Sequence, residues 1–125
     1  MKYMYQNIVN TGLNTFDSIE GVVAFINQIE SITDNVAAMK NHMELLRSQG
    51  VLISSSHELI DSNTYKTIRI FNTAQDRQNY IDWIAPHLEE IVSVVNTIGW
   101  TYTARDLKTE ITDERWAEIQ QELTV

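Results

Sequence analysis

The sequence predicts an α+β fold, a small antiparallel sheet with helices packed on one face and an extra C-terminal helix. Three observations carry this. Val51–Ile60 and Thr64–Phe71 both read as strands, and the Asp61-Ser62-Asn63 stretch between them has turn chemistry. Ala74–Ile98 follows as a helical segment with one apolar face. Strand-like runs stand at both ends of this unit in Lys2–Val9 and Trp100–Leu107.

Within Lys2–Val9, alternation places Tyr3, Tyr5, Asn7 and Val9 on one side, and Tyr and Val favour a strand. A short helix through Met4, Tyr5, Ile8 and Val9 stays open. Asp17 is expected to cap the next helix, with Glu20 three residues on and Ile19, Val22, Val23, Ile26 and Ile29 on its apolar face. The apolar positions 19, 22, 26, 29, 32, 36, 39, 43 and 46 run in a nearly heptad series. One continuous helix over Asp17–Ser48 would be roughly 48 Å long at 1.5 Å per residue. A break near Ser31–Asp34 gives two helices of ordinary length, ended by Gly50.

In the hairpin, Val51, Ile53, Ser55, His57 and Leu59 point one way when extended. Thr73 stands at a cap position with Asp76 three residues later. Tyr80, Ile81 and Ile84 share a face, as do Leu88, Ile91, Val92, Val95 and Ile98. Pro86 predicts a kink or restart between the two sets, because proline cannot donate to Asp82. Gly99 closes the segment. After the last strand, Thr112 caps an acidic helix whose apolar stripe is Trp116, Ile119 and Leu123.

At 125 residues the chain reads as one domain over 1–125, in three parts: 1–50, 51–107 and 108–125. With no cysteine, disulfides and thiolate chemistry are excluded. The net charge of −8 disfavours nucleic acid and anionic membranes as partners. No apolar run approaches the ~20 residues of a membrane helix, and a cytoplasmic location is expected. Fifteen Ile against eight Leu, with abundant Asn, fits an AT-rich coding source such as a phage.

The three histidines do not form a metal motif. His42-Met43-Glu44 has the His-x-Glu spacing of zinc deaminases without their cysteines. His87 and Glu90 lie three apart with no second copy, and His57 is mid-strand. The reading is scattered surface histidines. Phosphate-binding glycine motifs and nucleophile elbows are absent. Trp83, Trp100 and Trp116 are read as core residues, with a ligand pocket as the alternative. No catalytic, cofactor-binding or metal-binding residue is assigned, and no cofactor is expected.

The element order is that of a ferredoxin-like βαββαβ unit. Ile70-Phe71-Asn72-Thr73 followed by Tyr80-Ile81-Asp82-Trp83 resembles the strand-to-helix step of dimeric α/β-barrel proteins, the group that includes the antibiotic-biosynthesis-monooxygenase-like family. The resemblance covers residues 51–107 and implies dimers that join sheets. Some members degrade haem with an Asn, Trp and His set. Asn7, Trp83 and His87 are those residue types, but Trp83 and His87 stand only four apart, so no catalytic role is carried over.

The function expected from sequence is a non-enzymatic, self-associating structural or adaptor protein, plausible for a phage. The alternatives are an acidic inhibitor that fills a basic site on a partner and a small-molecule enzyme of the dimeric-barrel type. Trp116, Ile119 and Leu123 are the expected partner-binding residues, with docking of their helix on its own domain as the alternative. The apolar stripe from Ile19 to Leu46 looks too long for a small sheet to cover. A homodimer or larger assembly is therefore predicted. Light scattering at tens of micromolar checks it, and a 14.4 kDa species alone counts against it.

Overall fold

A computed structural model describes residues 1–124, with side chains through Glu122. The elements are β1 (Lys2–Asn10), α1 (Ile19–Asn27), a 3-10 turn (Glu30–Ile32), α2 (Thr33–Ser48), β2 (Leu52–Asp61), β3 (Thr64–Phe71), α3 (Ala74–Asn96), β4 (Thr101–Ile111) and α4 (Asp113–Thr124). The four strands form one sheet in the order β2-β3-β1-β4, with every neighbouring pair antiparallel. The class is α+β and roughly ferredoxin-like. It departs from the plain unit in two places: the first crossover holds two helices and a 3-10 turn, and α4 follows the last strand.

The resemblance to dimeric α/β-barrel proteins does not survive. The sheet is open, with β2 and β4 as its edges, and does not close into a barrel. The strand-to-helix step that carried the resemblance occurs wherever a strand feeds a capped helix, so it did not specify closure.

Local chemistry explains most boundaries. The Thr73 hydroxyl accepts from the Asp76 amide at 3.0 Å and starts α3. Thr112 does the same for Arg115 at 3.1 Å and starts α4. The first helix is capped one residue later than the sequence predicts, by Ser18 rather than Asp17, with the Gly21 amide as donor. The break between helices opens at Gln28, ahead of the expected Ser31–Asp34.

Pro86 does not interrupt α3, which runs unbroken from Ala74 to Asn96. A proline inside a helix costs ~3 kcal/mol. Buried apolar side chains flank it on the same face: Tyr80, Ile81 and Ile84 before, Leu88, Ile91 and Val95 after. At roughly 1.5–3 kcal/mol each, their burial outweighs that loss several-fold.

The helix-facing side of the sheet is organised in rows across the strands. Leu52 and Phe71 stand opposite each other in one row. Ser55, Arg69 and Tyr5 form the next, then His57, Thr67 and Asn7, then Leu59, Tyr65, Val9 and Tyr102. The two middle rows are mostly polar, and they divide the core. One cluster gathers Tyr5, Leu52, Phe71, Tyr80, Ile84 and Leu88. The other gathers Val9, Val22, Ile32, Tyr65, Ile91, Val95 and Trp100. Helices α1, α2 and α3 lie over this side.

One glycine holds two loops together. Gly12 has φ +60°, and a Cβ there would stand 2.7 Å from the Gly99 carbonyl oxygen. The neighbouring loop is fixed by Thr11 N–H donating to Asn63 at 2.8 Å and Phe16 N–H donating to Ser62 at 2.7 Å. Gly50 also has a positive φ, +73°, but open space around it. Gly12→Ala should therefore cost more than the ~1–3 kcal/mol of a strained backbone alone, and Gly50→Ala no more than that. Urea denaturation of both variants checks this; equal losses would remove the steric part of the argument.

Candidate functional site

Between the helix layer and the polar rows lies a cavity of about 330 Å³. The pleat brings Tyr5, Asn7, Thr67 and Arg69 to its floor, because alternate residues of a strand share a face. Its roof is apolar: Val22 and Ile26 from α1, Val36, Met39 and Met43 from α2, Ile84, Leu88 and Ile91 from α3. The long apolar stripe of the first crossover is turned inward here. Beside it lies a shallow groove between α1 and the edge strand β2, walled by Ile19, Glu20, Val23, Asn27, Ser55 and His57, of which Ile19, Val23, Asn27 and His57 also line the cavity.

Arg69 is the main charge inside. It is only 4% exposed. Its Nη1 donates to the backbone carbonyls of Ser56 at 3.3 Å and Ile68 at 3.0 Å. Its Nε has no hydrogen-bond partner. The guanidinium lies near the Tyr80 hydroxyl and opposes the effect of burial on it. Among the described residues no carboxylate forms an ion pair with it.

Beside Arg69 on β1, a closed network fixes the floor. The Tyr5 hydroxyl donates to Asp106 at 2.8 Å and accepts from the Asn7 amide at 3.0 Å. The Asp106 N–H donates to Asn7 Oδ1 at 2.9 Å. Asp106 has φ +53° and lies in a bulge of β4, where the register against β1 shifts. The network thus holds a strained backbone in place. Burial, reinforced by Asp106, pushes the Tyr5 phenol well above its ordinary value, against a smaller opposing effect of Asn7. Burial also raises Tyr80, against Arg69, and separately raises Tyr102 to about 12, against Arg105. All three phenols therefore stay neutral at neutral pH.

His57 is exposed, at the rim shared by the cavity and the groove. Desolvation, helped by the Arg69 charge, lowers it from 6.5 to about 4. Its exposure agrees with the reading of a surface histidine. His42 and His87 belong to a different cluster, on α2 and α3. The His42 ring stacks on Trp83 with centroids 3.8 Å apart, and Trp83 meets His87 at 4.8 Å. His87 Nδ1 is 2.8 Å from Asn35 Oδ1. Among the described residues no three His, Cys, Asp or Glu side chains come together to hold a metal.

None of the tryptophans lines the cavity. Trp100 is fully buried, with its indole N–H donating to Asn14 at 2.9 Å. On α4, Trp116 and Ile119 are half-buried, and the Leu123 side chain lies outside the described residues. Asn7 belongs to the cavity floor and is remote in role from the Trp83–His87 pair.

No protein-family model matches this chain, and no curated protein is similar to it. The site therefore rests on its own geometry. Among the described residues no helix is long and apolar enough to cross a membrane.

Sequence reasoning missed Arg69, Thr67, Asn7 and His57 as a group. The signal was present: they alternate in register with Tyr65, Phe71, Val9 and Leu59, all of which face inward. Polar residues on a strand's core face mark a wet or liganded interior.

The lowered His57 has a consequence for stability. As pH falls from about 6.5 to about 4, the unfolded chain takes up a proton that the folded chain refuses. Stability should fall through that window, and the fall should be shallower in His57→Gln. Urea midpoints at pH 7.5 and 5.0 for both proteins measure it. Parallel losses in the two would show that His57 is not responsible.

Proposed function

We propose that this protein binds a small, largely apolar organic molecule in the cavity between its helices and its sheet. The observation that carries the reading is the cavity itself, about 330 Å³ with an apolar roof and a few convergent polar groups on its floor. That is the size and character of small-molecule sites. Water is held well only where it finds polar partners; the floor offers them and the apolar roof does not, so an apolar ligand body suits the upper part of the space better than water.

A second reading is self-assembly or docking on a protein partner. It is supported by α4, which makes no extensive packing with any other element. Its N-terminal end is tied to the rest through Asp113 and the N-terminal amine. Trp116 and Ile119 would be the anchors, and the light-scattering measurement already described reads this arm.

The test of the first reading is titration with a neutral fluorescent probe such as 1-aminoanthracene. Saturable binding of one probe per chain is expected. Ile26→Trp, which fills the cavity from α1, should weaken it at least tenfold while leaving the melting temperature unchanged or raised. No binding, or equal binding by the filled variant, would remove the cavity as a ligand site.

A further inference from the structure

We propose that the ligand is an organic monocarboxylate with an apolar body, its carboxylate held at Arg69 and its body lying along β3 toward Tyr65 and Tyr102. This rests on the cavity being a ligand site and names the class of molecule it takes.

The first argument is an uncompensated charge. The chain has 17 acidic residues against 9 Lys and Arg. Three acids beside the sheet are committed elsewhere, Glu58 to Lys66, Glu110 to Arg77 and Glu89 to Arg105, and Glu20, in the groove beside His57, forms no ion pair with Arg69. Asp106 is held by the Tyr5 hydroxyl. Arg77 makes the contrast clear. It is also buried, yet it has Glu110 at 3.4 Å and the Tyr3 ring 5.4 Å away. Arg69 has only carbonyls and a phenol. A buried cation without a counter-ion is strongly disfavoured unless something supplies the negative charge. Arg69 lines the cavity, so a bound anion can supply it there.

The second argument concerns the size of that charge. Tyr5, Tyr80 and Tyr102 remain neutral phenols, and His57 is neutral above about pH 4. Lys40 reaches the rim but stays exposed to solvent. The interior thus presents one positive charge, which balances a carboxylate and leaves a phosphate monoester half compensated. With Nη1 held on two backbone carbonyls and Nε enclosed by protein, Nη2 is the guanidinium nitrogen left to donate to a carboxylate oxygen.

The third argument is direction. From Arg69 to Tyr65 is four residues of strand, roughly 13 Å. Over that length the walls pass from polar to apolar, ending among Val22, Ile91 and Val95. A medium-chain acyl group or an aryl-alkyl body fits that gradient, entering past His57 between α1 and β2.

The experiment is calorimetric titration of the full chain with octanoate, octan-1-ol and octyl phosphate, followed by the same titrations on Arg69→Met. Octanoate should bind at least tenfold more tightly than octanol or octyl phosphate. In Arg69→Met it should lose at least tenfold while octanol is unchanged. The variant's melting temperature should hold or rise, since a buried lone charge has been removed. Should the variant not fold, the wild-type comparison of octanoate with octanol decides alone. Equal binding of those two, tighter octyl phosphate, or undiminished octanoate binding in Arg69→Met would overturn the proposal. If the neutral probe binds and octanoate does not, the carboxylate assignment fails and the cavity stands. If neither binds, the cavity reading fails first.

Discussion

A polar group removed from water must find a partner, and two rows of such groups cross the face of this sheet that the helices cover. The arrangement of the domain follows from that constraint. Apolar side chains close over Phe71 and Leu52 on one side of the rows and over Tyr65 and Val9 on the other. Between them the floor is Arg69, Tyr5, Thr67 and Asn7, which an apolar roof cannot satisfy. Tyr5 and Asn7 find partners in each other and in Asp106. Arg69 finds only part of what it needs. The core is therefore divided in two, and the space at the division is where a ligand would complete the hydrogen bonding and the charge.

The helices serve this arrangement in different ways. α3 is the spine, contributing buried residues to both clusters. Its continuity through Pro86 keeps Ile84 and Leu88 on one line over the floor. α1 and α2 form a jointed roof instead of one rod. The 3-10 turn at Glu30–Ile32 changes the direction of the chain and drives Ile32 fully into the core. That bend lets both α1 and α2 pack against β2, with the groove at His57 between α1 and β2.

Local signals in the sequence were dependable where they rest on a few neighbouring residues. The β2–β3 hairpin, the Thr73 and Thr112 caps, and the stops at Gly50 and Gly99 are all set by short-range backbone chemistry. Pro86 does not restart the helix because the opposing term is burial, which depends on elements far along the chain. The bulge at Asp106 left no sequence mark, since its positive φ is held by Asn7, 99 residues away. The candidate site was half legible. Thr67 and Arg69 alternate with Tyr65 and Phe71, so their inward direction follows from β3 alone. That Asn7 and His57 stand in the same row as Thr67 depends on pairing register, which no single strand encodes.

An open sheet has two edges, and these bear on how the chain behaves in a crowded solution. Straight, unpaired edges invite strands from other molecules and lead to fibres. Here β2 is irregular near both ends, where its register against β3 shifts around Leu52–Ser54 and Leu59–Asp61. β4 is broken in its middle by the bulge around Asp106 and carries Lys108 and Glu110 beyond it. Neither edge offers a long, even ladder of free N–H and C=O groups. Edge-to-edge polymerisation is thus disfavoured by geometry and charge.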